Sequence, residues 1–210
     1  MKSEGENPVR EEYGKLAPVY DRRWSYYTEA TARETVARIR FKPGESLLDV
    51  ACGTGVLLAL VGRLYPGGGP AGVDLSAPML AVARRRLPPS VPLRAGNVES
   101  LPFDDQSYDV VVCCSAFHYF RHPGLALAEM KRVLKPGGRI VITDWCDDYL
   151  ACRVLDRFLR RFNRAHFRAY RSGECARLLE EAGFRGVRVE CFKINWLWAL
   201  MTATGGKEGG

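Results

Sequence analysis

The chain has 210 residues, a length that fits one large domain or two small ones. Hydrophobic residues make up 47% and charged residues 26%, which excludes a disordered chain, and 21 glycines and 12 prolines scattered between periodic segments exclude collagen-like and low-complexity sequence. The net charge of +7, with much of the excess between Arg153 and Arg171, leaves nucleic acid, an anionic membrane or an acidic small molecule open as partners, beside an ordinary solvated surface.

No apolar run reaches the roughly 20 residues of a membrane span. The opening stretch MKSEGENPVREEYG lacks an apolar core, so no secretory leader is expected. The cysteines (Cys52, Cys113, Cys114, Cys146, Cys152, Cys175, Cys191) are odd in number and show no matched CxxC pairs. Neither a metal site nor a disulfide framework is expected, and a reducing, cytoplasmic setting suits them.

In chain order, residues 1–12 are polar and read as a flexible tail. Residues 13–41 combine an aromatic patch (Tyr13, Tyr20, Trp24, Tyr26, Tyr27) with a helical pattern (Thr31, Thr35, Val36, Ile39) that Pro43-Gly44 closes. Strands are then predicted at 46–51, 71–74, 91–95, 108–114 and 139–145. Helices fall between them at 55–65, 76–87 (with Ser76 as N-cap) and 123–134. Strands alternating with helices of 10–15 residues imply βαβ units, hence an α/β, Rossmann-like, doubly wound sheet with helices on both faces. After Trp145 the pattern changes. An amphipathic helix is predicted at 149–166, within an insertion at 147–171, and a shorter helix at 172–182 ends at Gly183. Strands at 187–193 and 194–204 form an antiparallel pair, and 205–210 read as a flexible tail. The whole chain, 1–210, reads as one domain.

Two segments carry chemistry. In Asp49-Val50-Ala51-Cys52-Gly53-Thr54-Gly55 a strand runs into a glycine turn that opens a helix, where free N–H groups can meet a ligand. In Gly72-Val73-Asp74-Leu75-Ser76 an acid ends the next strand, where it can accept both hydroxyls of a ribose. A nicotinamide site wants a third glycine three residues after the second, and that position is Leu58. No basic residue offers itself to a pyrophosphate. Asp49 instead suits a cationic amine, and a nucleoside with an amino-acid arm and no phosphate is S-adenosylmethionine.

LLDVACGTGVL (47–57), GVDLS (72–76), GNVESLPF (96–103), YDVVVCCSAFHYF (108–120) and EMKRVLKPGGRIVITDW (129–145), in that order, resemble the class I S-adenosylmethionine-dependent methyltransferases. The likeness covers residues 13–145 and is greatest to the small-molecule group with the ubiquinone/menaquinone biosynthesis C-methyltransferases. It implies a seven-stranded sheet of order 3-2-1-4-5-7-6 with the last strand antiparallel. It also implies that Asp49 and the backbone of Ala51, Cys52 and Gly53 surround the methionine moiety, and that Asp74 holds the ribose. Leu75 and Met79 would pack on the adenine, with Asn97 and the Val98 N–H at its edge. Ser115 would meet the methionine amine, and Tyr13 and Tyr20 would form a lid. The family pattern usually has Asp where this chain has Asn97, whose amide carbonyl can still accept a hydrogen bond.

Methyl transfer is an in-line displacement in which the protein aligns the acceptor and excludes water. A base is needed only when the acceptor must lose a proton. His118, after the fourth strand, and Asp144, ending the fifth, are the candidate catalytic residues; each also has a plain structural reading. In the helix at 149–166, Leu150, Val154, Phe158 and Phe162 form an apolar face expected to roof the pocket or pack on the sheet. Arg153, Arg157, Arg160, Arg164 and Arg168 form a basic stripe that can stay solvated, recruit an anionic substrate or contact a membrane peripherally. The acceptor is expected to be a small molecule, aromatic in view of Phe117, Tyr119 and Trp145. Nucleic acid is disfavoured, because the Asp/Asn-Pro-Pro-aromatic segment of amino-methylating enzymes is replaced by Cys114-Ser115-Ala116-Phe117. The chain is expected to act as a monomer or homodimer. A tRNA methyltransferase and a non-catalytic nucleotide-binding protein remain the alternatives.

Overall fold

Three consecutive valines, Val110, Val111 and Val112, are fully buried, which happens in a strand only when both faces of its sheet are covered. The computed structural model, which describes residues 8–196 and 198–209, shows that arrangement. Strands β1 (Ser46–Val50), β2 (Gly69–Asp74), β3 (Leu93–Ala95), β4 (Tyr108–Cys114) and β5 (Leu134–Trp145) pair in parallel. β7 (Ala199–Gly206) runs antiparallel to β5 and to β6 (Arg185–Lys193), giving the order β3-β2-β1-β4-β5-β7-β6. This is the expected topology.

Successive strand residues point to opposite faces, so Leu47 and Leu48 enter different cores. On one side Leu47, Val110, Val112 and Val141 meet α2 (Tyr20–Ile39), α3 (Val56–Leu64) and α4 (Ala77–Arg86). On the other, Leu48, Val111, Ile140 and Ile142 meet α5 (Pro123–Val133) and α7 (Ser172–Glu181). Ser76 caps α4 as expected, its Oγ accepting the Met79 N–H.

Several boundaries differ from the sequence expectation. Residues 8–12, expected to be a flexible tail, belong to a helix, α1 (Pro8–Leu16), while 1–7 lie outside the described residues. Pro18, which has no N–H to donate, lies between α1 and α2. At the other end Gly205 and Gly206, also expected in a flexible tail, extend β7 by pairing with Ile140 and Arg139. The Lys207 N–H continues the tie by donating to the Gly138 carbonyl at 2.8 Å. The strand predicted at 194–204 begins only at Ala199. Residues before it turn back, with the Ile194 N–H on the Trp198 carbonyl and the Trp198 N–H on Asn195 Oδ1.

The largest correction concerns α6 (Leu150–Phe162). Its apolar residues Leu150, Val154, Phe158 and Phe162 neither roof a pocket nor pack on the sheet; all are exposed. The buried face is set by Cys152 and Asp156 instead. Asp156 Oδ1 accepts the Ala169 N–H at 2.6 Å and bonds His166 Nε2 at 2.8 Å, so a buried acid ties the following loop under the helix. The helix stops at Phe162, where Asn163 Oδ1 turns to the N–H groups of Ala165 and His166.

Gly72, inside β2, shows how tightly the sheet supports the ligand end. A Cβ there would lie 2.8 Å from both Cys52 Sγ and Leu58 Cδ1. Gly72→Ala is expected to cost about 1–3 kcal/mol of stability, the usual penalty of overpacking. Urea denaturation measures it, and an unchanged midpoint would show that the neighbours give way freely.

Candidate functional site

The C-terminal ends of β1, β2 and β4 open into a cavity of about 590 Å³, the size range of small-molecule sites. Its floor is the turn after β1. Ala51, Gly53 and Gly55 all have positive φ (62°, 54° and 78°). For Ala51 this is a strained conformation, of the kind that collects at functional sites. Gly55 is needed on two counts, because a Cβ there would also lie 2.9 Å from Leu87 Cδ1. The turn is pinned to the next strand by the Cys52 N–H on the Val73 carbonyl at 3.0 Å.

Asp74 stands at the end of β2 with its carboxylate fixed from two sides. Oδ2 accepts the Gly53 N–H and Oδ1 the Ser76 N–H, both at 2.8 Å. Burial raises its pKa, and these two N–H groups work against that rise. Each oxygen keeps a lone pair for a ligand hydroxyl. Asp49, one strand over, is differently placed. It is buried, and its Oδ1 has no hydrogen-bond partner among the described residues. Burial first, and repulsion from Asp74 second, push its carboxyl well above the ordinary range. An acid in that position is costly unless a cation joins it.

Ser115, directly after β4, repeats the strain of Ala51 with φ at 56°. It is held by its own N–H on the Thr143 carbonyl at 2.8 Å and by a relay in which Trp145 Nε1 donates to the Tyr27 hydroxyl and Tyr27 donates to Ser115 Oγ. Leu75 and Met79 form one apolar wall and Asn97 and Val98 the next. Asn97 Oδ1 accepts the Glu99 N–H at 3.1 Å and retains one lone pair for a ligand. Tyr13 on α1 bonds hydroxyl to hydroxyl with Tyr119, and its ring lies 5.7 Å from Tyr20 and 5.4 Å from Tyr119. Thus all twelve expected ligand residues (Tyr13, Tyr20, Asp49, Ala51, Cys52, Gly53, Asp74, Leu75, Met79, Asn97, Val98, Ser115) line one cavity.

His118 and Asp144 are brought to each other but not to that lining. His118 Nδ1 lies 2.6 Å from Asp144 Oδ1, and the His118 N–H donates to Asp144 Oδ2 at 2.9 Å. His118 Nε2 is buried without a partner among the described residues. Its ring stacks on Trp145 and touches Tyr119, which does line the cavity.

Sequence reasoning missed a latch at the mouth. Asp21, at the start of α2, accepts from Thr54 Oγ1 at 2.7 Å and from Arg86 at 2.6 Å, while Arg86 also holds the Thr54 carbonyl. Three residues scattered over 65 positions carry no local motif. It also passed over Thr28, Ala32 and Cys114 of the lining. Burial pushes the Cys114 thiol up to about 12, so it is a neutral wall and not a nucleophile. Outside the cavity Cys146, Asp148 and Cys191 bring ligand atoms within 4.8 Å of one another, a grouping that their spacing along the chain concealed.

A methyltransferase-domain family matches residues 48–142. A demethylmenaquinone methyltransferase of Lactiplantibacillus plantarum is 30% identical over 87% of this chain and 90% of its own length. The chain belongs to the class I S-adenosylmethionine-dependent methyltransferase family. A second demethylmenaquinone methyltransferase, from Symbiobacterium thermophilum, is 38% identical over 75% of this chain, and the chain spans 64% of that protein's length. Among solved structures, a Haemonchus contortus phosphoethanolamine N-methyltransferase with bound S-adenosyl-L-methionine superposes with a TM-score of 0.73. It shares 16% identity over 92% of this chain and 60% of its own, a likeness of fold.

The cavity fits the family's cofactor on its own evidence. The orphaned Asp49 oxygen matches a cationic amine, the doubly anchored Asp74 matches a pair of vicinal hydroxyls, and the floor at Gly53 leaves nothing within 4 Å of where a Cβ would stand. The same carboxylate makes a prediction for the ligand-free protein. With its folded pKa raised, Asp49 keeps a proton that the unfolded chain gives up, so stability falls as pH rises from the ordinary carboxylate pKa of 3.8 toward the raised value. Asp49→Asn is therefore expected to raise the neutral-pH Tm of the unliganded protein, with the gain vanishing below about pH 4. Thermal melts across that range test it; a lower Tm at pH 7 would place a hidden cation beside Asp49.

Proposed function

We propose that the protein transfers a methyl group from S-adenosylmethionine to a small, aromatic acceptor by in-line displacement. The observation that carries the reading is the pairing of a fixed acid (Asp74) with an acid whose Oδ1 has no partner among the described residues (Asp49), at adjacent strand ends and with no basic side chain seen bonded to either among those residues. When bound, the cofactor supplies a methyl group activated by a sulfonium, so the protein needs no nucleophile of its own. Asp74 orients the ribose, Asp49 and the Ser115 turn orient the amino-acid arm, and Leu75, Met79, Asn97 and Val98 receive the adenine.

The acceptor side is aromatic. Tyr13, Tyr20, Tyr119 and Phe120 line the cavity, and burial keeps the three hydroxyls protonated by raising their pKa values. Such a wall stacks on a flat apolar ring. The demethylmenaquinone methyltransferases among the relatives act, by name, on a molecule of that kind. Tyr13 closes α1 over the cavity through Tyr119, and the Asp21 latch fixes the start of α2, so both helices serve to exclude water.

An acceptor that gives up a proton needs a base, and His118 is the residue equipped for it. Asp144 binds Nδ1 and fixes the ring, leaving Nε2 as the free nitrogen. Tyr119, packed on the His118 ring, is the gate through which an acceptor reaches it.

Two measurements test the reading. Asp74→Ala is expected to cost roughly 1.5–3 kcal/mol of S-adenosylmethionine affinity in isothermal titration. Affinity for NAD above that for S-adenosylmethionine would remove the proposal. Once an acceptor is found by screening metabolites with a labelled methyl donor, His118→Gln should lower kcat by about 10²–10⁴ while cofactor affinity holds. An unchanged kcat would assign catalysis to positioning alone.

A further inference from the structure

Residues 150–171 hold seven arginines and one acid, Asp156, so this segment carries six of the chain's seven net positive charges. Asp156 is buried beneath α6, while Arg157, Arg160, Arg161, Arg164 and Arg171 are exposed and Arg153 and Arg168 are half-buried. Along the same helix Leu150, Val154, Phe158 and Phe162 recur at helical spacing and are 72%, 62%, 57% and 68% exposed. Phe158 and Phe162 pack on each other with tilted rings, centres 4.7 Å apart, and Arg161 lies over Phe162. Arg157 and Arg161, beside this band, stand in no salt bridge among the described residues. The apolar band is thus a continuous strip bordered by uncompensated positive charge.

A neighbouring feature points the same way. Cys152 Sγ, in the first turns of α6, donates to the Ala199 carbonyl at 3.2 Å, so α6 starts beside the β6–β7 turn. That turn presents Trp196, 84% exposed. An amphipathic helix with phenylalanines on one side and arginines along its border, next to an exposed tryptophan, has the composition of an element that lies in a bilayer interface. A nucleic acid would use the arginines but leave the phenylalanines in water.

We propose that the exposed face of α6, with Trp196, docks this protein onto an anionic lipid surface. The apolar band enters the headgroup boundary and the arginines meet the lipid phosphates. β5 ends at Trp145, just before α6, so the docked helix leaves the sheet at the edge where the ligand cavity opens. The proposal stands independently of the methyl acceptor's identity.

Co-sedimentation of the full chain with vesicles tests it. Binding is expected to phosphatidylcholine vesicles containing about 30% phosphatidylglycerol, to weaken steeply with added salt, and to be much weaker on phosphatidylcholine alone. F158S/F162S and R157E/R161E are each expected to weaken the partitioning roughly tenfold or more. The substituted positions are solvent-exposed, and unchanged S-adenosylmethionine affinity checks that the fold is intact. Absence of vesicle binding, or binding that ignores lipid charge and salt, would overturn the proposal. So would a wild-type chain that dimerises in solution through this face, with F158S/F162S monomeric and neither bound to vesicles.

Discussion

A carboxylate with an unpaired oxygen, buried at the end of the central strand, is the constraint around which the ligand end of this molecule is organised. Asp49 is buried with its Oδ1 unpartnered among the described residues. Everything adjacent keeps it that way. The turn after β1 curls through three positive-φ residues, and Asp74 is held apart by the N–H groups of Gly53 and Ser76. Ser115 is strained at the next strand end. A buried acid of this kind is costly unless a cation completes it, and on the proposed reading the amine of the cofactor's amino-acid arm is that cation.

The sheet makes that geometry possible. Parallel strands covered on both faces bring β1, β2 and β4 to a common edge, and the reversal of strand order at β1 opens the crevice there. Rigid packing beneath the turn, at Gly72 and Gly55, fixes the floor to within a methyl group. The lid is a different kind of structure. α1 borders the cavity with Tyr13, bonded to Tyr119, whereas α2 packs on the sheet through Ala32, Val36 and Ile39 and has its start tied by Asp21.

Much of this was legible in the sequence because it is local. A strand that ends in Asp, passes through two spaced glycines and opens a helix specifies its own turn, and Asp74 follows one βα unit later. The order of the strands and the twelve cavity-lining residues expected to hold the ligand follow from such segments read together with the family likeness. What the sequence concealed depended on distant partners. The Asp21–Thr54–Arg86 latch joins three elements, and the pairing of Gly205 and Gly206 with β5 orders what composition alone marks as a loose tail. The face of α6 was misjudged for a physical reason: its apolar stripe was assumed to be the buried one, whereas Asp156 goes inside because His166 and the Ala169 N–H satisfy it. His118 and Asp144 are each legible as candidates at neighbouring strand ends, yet their hydrogen-bonded pairing and their place behind Tyr119 are properties of the packed side chains, which no spacing rule conveys.

The most direct measurement is a crystal structure of the protein with S-adenosylmethionine. The arrangement described predicts the ribose hydroxyls on the Asp74 carboxylate, the amino group drawing on Asp49 and the Ser115 turn, and the purine between Met79 and Val98. A cofactor whose sugar lies away from Asp74, with the Asp49 oxygen still unpaired, would contradict it.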